Sequence, residues 1–192
     1  MVLAFYQLPA FAEFAASLGR VKASGGLPFA FLATACAGIL LPESFKIATR
    51  DERRLPLPEL AYMFLVFGIN GMIVDLFYRG QGLLFGTEAT LGVVAAKVAV
   101  DQTVGSLLIF NPYFLFMILL YKSGFSRDRL REGLRKNSFL RQMWPILVVN
   151  WAYWIPALFG VYAMPSDLQF VLFLFVEAAW SLILVHVAKR EH

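Results

Sequence analysis

Lys97-Val-Ala-Val-Asp101-Gln102 sets an ammonium and a carboxylate four residues apart, with an amide beside the second. On a helix this spacing stacks the two charges on one face, where they can neutralise each other. Asp75 and Arg79 repeat the spacing, and Glu43 and Lys46 stand three apart. Glu177 stands alone in an apolar run, with Ser181 one turn on. Inside a bilayer each such charge costs at least about 2.5–3.5 kcal/mol at a helix centre, so it must meet a partner or water. Lys97, Asp101, Gln102, Asp75 and Asn150 are therefore candidates to line a hydrated pathway, with Lys97 and Asp101 as its polar pair. The competing reading makes the charges buried glue between helices. Spacing alone favours glue, because self-paired charges need no water.

Other chemistries find no support in the residue types. His186, His192 and the single Cys36 cannot supply an ordinary zinc site. The chain has no Gly-x-Ser-x-Gly, no phosphate-cradling glycine loop and no dinucleotide fingerprint, and Gly80-Gln-Gly82 is too short to count as one. The expectation is a protein that is not an enzyme, with no catalytic residues, no metal and no cofactor.

The elements that must position these residues follow from composition. Hydrophobic residues make up 59% of the 192 and charged residues 16%, against roughly 45–50% and about 25% in soluble domains. Too little polar surface exists to coat a water-soluble enzyme. About 20 apolar residues cross a hydrocarbon core of about 30 Å, and five runs have that length. They are Ala23 to Pro42, Leu60 to Tyr78, Gln102 to Tyr121, Gln142 to Ser166 and Leu168 to Ala188. The first is punctuated by Ser24-Gly25-Gly26 and Pro28, which suits a short or kinked helix. Four crossings and five both remain open on this count. Residues 1–22 carry apolar side chains near helical spacing and read as an interfacial helix. No basic stretch precedes them, so a signal peptide is not expected, and Arg190-Glu191-His192 is no peroxisomal tripeptide.

Several residues predict tight or bent packing. Gly68 and Gly71 flank Asn70 and would admit a neighbouring helix closely. The apolar stretch from Leu91 to Tyr121 is too long to cross upright, so it should tilt or kink at Pro112. Pro145 and Pro156 bracket the fourth span, and Trp144 suits an interfacial aromatic belt.

Charge asymmetry gives an orientation. With five crossings, Arg20, Lys22 and Arg79 lie on one side and thirteen Lys and Arg on the other, seven of these between Lys122 and Arg141. The basic side should face the cytosol or its equivalent. Residues 122–142 form a basic amphipathic loop, with Leu130 and Leu134 one turn apart. Residues 122–141 either attract anionic lipid headgroups, at about 1 kcal/mol per basic residue, or serve only as a solvated topological anchor.

Lys97-x3-Asp101-Gln102, followed by Trp144-Pro145 and then Ile155-Pro156, resembles the peroxisomal membrane 22 kDa protein family, also called the Mpv-seventeen family. Trp180-Ser181 is similar to its closing tryptophan element, and the resemblance is best over residues 97–156. Val148, Trp151 and Gly160 depart from the family pattern, and the proline expected soon after Asp-Gln is displaced to Pro112. The resemblance implies a multi-helix membrane protein forming a weakly selective pore or carrier for small solutes or metabolites. In that reading Trp144, Pro145, Pro156 and Trp180 are packing elements of the motif. The implied setting is the inner mitochondrial or peroxisomal membrane, or the cytoplasmic membrane of a bacterium.

The expected fold is an all-α, polytopic transmembrane helical bundle of four to five spans with an amphipathic N-terminal segment. Residues 1–192 would form a single membrane domain: helix 1–22, three spans in 23–121, the loop 122–142 and two spans in 143–188. Candidate partners are the lipid bilayer, small solutes or metabolites, anionic headgroups and further copies of the chain as a homo-oligomer, but not nucleic acid. The alternative function is a non-transporting scaffold or assembly subunit.

Overall fold

The computed structural model describes residues 7, 9–51, 54–136 and 139–190. These form helices with no strand among them, and five stretches are long and apolar enough to cross a membrane. The chain reads as an integral membrane protein with an all-α bundle, the first run included.

The first stretch begins as α1 (Pro9–Ala35), passes through a wide π-helical turn (Cys36–Leu40) and ends as α2 (Leu41–Ala48). Its helical backbone breaks once, at Gly26, where φ is 52° and ψ is −136°. Only glycine enters that region cheaply, and Pro28 two residues on cannot donate to the helical ladder. The kink read from this punctuation is thus present, and it divides an arm over residues 9–25 from the apolar remainder. The arm packs on the bundle: a Cβ on Gly19 would meet Leu168 at 2.9 Å, and Lys22 bonds Asp75. The part of the expected interfacial helix over residues 1–6 lies outside the described residues.

Helix α3 (Leu57–Phe85) starts after Pro56 with Pro58 in its first turn and stops at Gly86, whose φ is 84°. Gly68 and Gly71 are where α1 closes on it. A Cβ on Gly71 would lie 2.3 Å from the Thr34 hydroxyl and 2.4 Å from the Ala30 carbonyl, and one on Gly68 would strike the Phe31 ring.

The third crossing is continuous from Leu91 to Lys122. It comprises α4 (Leu91–Val100), a ten-residue π-helical stretch (Asp101–Phe110) and α5 (Asn111–Lys122). The Thr90 hydroxyl caps its start by accepting from the Val93 N–H. The irregularity expected at Pro112 lies instead in the ten residues before it. Proline leaves a carbonyl one turn back without a donor, and the wider i→i+5 register is one way a helix absorbs such a gap. The Asn111 N–H bonds the Ser106 carbonyl in that register.

Within the basic loop lies a short helix, α6 (Arg127–Lys136). Helix α7 (Phe139–Tyr162) contains both Pro145 and Pro156, so these prolines sit within the fourth crossing rather than bracketing it. Helix α8 (Ser166–Arg190) completes the bundle. Hydrogen bonds join the crossings: the Tyr62 and Tyr113 hydroxyls donate to the Met117 and Val66 carbonyls between α3 and α5, and Tyr153 donates to Val176 between α7 and α8.

Candidate intramembrane cavity

A cavity of about 850 Å³ lies between α3, the π-helical stretch with α5, α7 and α8. It follows α3 from Met63 to Tyr78, about 22 Å at the rise of a helix, and so falls short of the ~30 Å hydrocarbon thickness. Tyr78, Asp101, Leu158 and Phe173 line one end. Beyond them the bundle is packed, with Val161, Tyr162 and Phe170 fully buried. Met63, Ile118 and Met143 mark the other end, towards the basic loop. Ile146 and Val149 line the wall while half of each stays exposed, so the cavity also borders the outer surface of α7.

The π-helical stretch supplies the polar side of the wall. Its i→i+5 register separates same-face residues by four to five positions rather than three to four. Asp101, Gln102, Ser106, Phe110 and Asn111 accordingly share the cavity face. A hydrogen-bonded chain runs through them. Asn150 of α7 donates to the Ser106 hydroxyl at 3.1 Å, Ser106 donates to Gln102 Oε1 at 3.4 Å, and the Gln102 side-chain amide donates to Asp101 Oδ1 at 3.1 Å. From the other side Gln81 donates to the Tyr162 hydroxyl at 2.7 Å, which donates to Asp101 Oδ2 at 2.6 Å. Both carboxylate oxygens of Asp101 are thus satisfied by neutral groups.

This overturns the expected Lys97–Asp101 pairing. Lys97 is 1% exposed, and its ammonium lies 5.8 Å from the centre of the Tyr162 ring, a cation–π contact. Among the described residues no carboxylate lies within ion-pair distance of it. The i, i+4 spacing put both groups on one helix, but Tyr162, sixty-one residues away in sequence, arrives between the competing partners.

Asp75, the other predicted acid, lies off the cavity in a triad. It is 1% exposed and receives Arg79 at 2.6 Å and Lys22 at 2.8 Å. The Asp75–Arg79 pair follows from its spacing; the Lys22 partner comes from α1 and has no local signal. Glu43 and Lys46 also pair, at 2.6 Å, and the Leu55 N–H binds the second oxygen of Glu43. Of the predicted polar set, then, Asp101, Gln102 and Asn150 meet at the cavity, while Lys97 and Asp75 do not line it.

The tryptophan and proline positions divide likewise. Trp180 and Pro145 are on the wall, and Trp180 lies against Tyr153 with ring centres 4.7 Å apart. Trp144 is exposed, as an interfacial residue would be, with its edge on Trp151, and Pro156 is exposed as well.

Sequence reasoning gave no role on this wall to Asn70, and it left Glu177 without a partner. Glu177 is buried at the wall beside Trp180, with Ser181 as its hydrogen-bonding neighbour. Asn70 is 4% exposed, and its carbonyl oxygen has no hydrogen-bond partner among the described residues. An isolated charge in an apolar run was the available signal for Glu177. Nothing in the sequence marked Asn70 as more than a spacer between glycines.

No family model matches the chain, and neither does any curated protein or solved structure. The resemblance to the peroxisomal membrane family gains no support from these comparisons.

Proposed function

We propose that this chain is a membrane carrier whose cavity between α3, α5, α7 and α8 holds one small solute at a time. The observation behind this reading is a large, mainly apolar cavity with a few convergent polar side chains, which is the ordinary form of a small-molecule site. Because the described lining runs along α3 only from Met63 to Tyr78, short of the hydrocarbon thickness, a one-sided binding chamber fits better than an open pore. No step of bond chemistry is assigned: the donors around Asp101 saturate it rather than leave it free to act as a base.

The scaffold reading keeps one favourable observation, the Lys22–Asp75–Arg79 triad, which joins α1 to α3 away from the cavity. It accounts for the triad but leaves the chamber without a role.

Reconstituting the chain in liposomes and following flux of a panel of small cations, anions and neutral solutes tests the carrier. Uptake above protein-free vesicles, lost when Ser181→Trp fills the wall, is expected. Vesicles no leakier than lipid alone, with the protein still folded, would contradict it. Asp101→Asn beside wild type then reports whether the hydrogen-bonded chain tunes the flux.

A further inference from the structure

The charge balance of the wall narrows the solute. Asp101 and Glu177 both line the cavity, while among the described residues no lysine, arginine or histidine does. Aromatic rings are plentiful there, among them Tyr78, Trp154, Phe173 and Trp180. Asp101 is already satisfied by Tyr162 and Gln102. Glu177 has the Ser181 hydroxyl beside it but no counter-charge: among the described residues, no cation lies within ion-pair distance of it. The buried, unpartnered side-chain carbonyl oxygen of Asn70 supplies a further acceptor in the same cavity, from α3. A lone acid, a free acceptor and aromatic faces complement one kind of ligand, a cation that donates hydrogen bonds and carries an apolar body. An ammonium head would bind the Glu177 carboxylate and the Asn70 oxygen, and would gain from aromatic faces in a desolvated site. An anion would meet repulsion and no donor charge. A neutral solute would forgo the charge-assisted bond that Glu177 can make to an ammonium.

We infer, building on the solute-binding reading of this cavity, that its ligand is a lipophilic ammonium compound held by Glu177 and Asn70. Half-exposed Ile146 and Val149 border the cavity on the outer surface of α7, and a route past them from the lipid would suit such a molecule, whose apolar body already partitions into a bilayer. Lys122, Arg127, Arg129 and Arg131 line no part of the described wall.

The test uses the full chain in detergent and three probes with one skeleton: 4-phenylbutylamine, 4-phenylbutanol and 4-phenylbutyrate. Calorimetric titration should show the amine binding at least about tenfold more tightly than the alcohol, and the carboxylate weakest. Glu177→Gln should weaken the amine by about tenfold while leaving the alcohol in place. Asn70→Leu should weaken the amine to a lesser degree, and it serves as the second variant should Glu177→Gln lose its helical circular dichroism. Equal affinity for amine and alcohol, or an amine affinity unmoved by both variants, overturns the ammonium assignment. If the alcohol still binds and Ser181→Trp abolishes it, the chamber stands and only the charge preference falls. If none of the three binds, both readings fall together.

Discussion

Asp75 on α3 and Glu177 on α8 are both carboxylic acids buried in apolar helices, yet Asp75 meets two cations of this chain and Glu177, among the described residues, meets none on the wall it faces. The two cases show what separates a structural intramembrane charge from a functional candidate. Both acids interrupt an apolar run, so sequence composition does not distinguish them. Where the counter-charge is built in, as at Lys22 and Arg79, the group has completed its chemistry and holds helices together. Where it is missing and a cavity takes its place, the group is available to something from outside. Asp101 stands between the two, completed by hydroxyl and amide donors but still on the wall.

Breaking the built-in case should have the largest effect. Asp75→Ala leaves the partly buried Lys22 against Phe170 without its carboxylate, and it should cost about 3 kcal/mol, read as a large fall in the detergent melting temperature. The double variant Lys22→Met with Asp75→Leu should recover most of that loss, because a removed pair costs far less than a broken one. Gly71→Ala drives a methyl into Thr34 and the Ala30 carbonyl, and separating α1 from α3 should cost about 2 kcal/mol in the same melt. Tyr162→Phe removes the hydroxyl between Gln81 and Asp101, for about 1–2 kcal/mol as buried groups lose their partner. The smallest effect belongs to Arg79→Ala. Its side chain is 51% exposed and Lys22 stays on Asp75, so the loss should remain under about 1 kcal/mol. A melt in which Arg79→Ala falls further than Asp75→Ala would reverse the roles assigned to the triad.

The crossings were legible because length decides them: apolar runs of membrane thickness became helices, and the glycine-proline punctuation around Gly26 became the kink. The Asp75–Arg79 and Glu43–Lys46 pairs were legible because each partner lies one turn away on its own helix. The Lys97–Asp101 pair failed on the same logic. Local spacing offers a partner, but in a dense bundle a tyrosine hydroxyl from another helix and the adjacent glutamine amide reach the carboxylate first. The π-helical stretch was half legible. Pro112 announced a disturbance, but its position upstream depends on how the helix redistributes its hydrogen bonds. The cavity was not legible at all, since it is the volume left between four helices whose rotations depend on every packed side chain. Glu177 was visible as a charge without a partner, and what it faced was not.

Accessibility of the wall tests the central claim most directly. With Cys36 replaced by alanine and Ser181 by cysteine, the chain carries one thiol, set beside Glu177. Methanethiosulfonates bearing an ammonium or a sulfonate can then be compared by labelling rate in the folded protein. The ammonium reagent should react about tenfold faster than the sulfonate, and 4-phenylbutylamine should slow it. A thiol that stays unmodified by both reagents, while melting as the parent does, would mean that the chamber admits nothing.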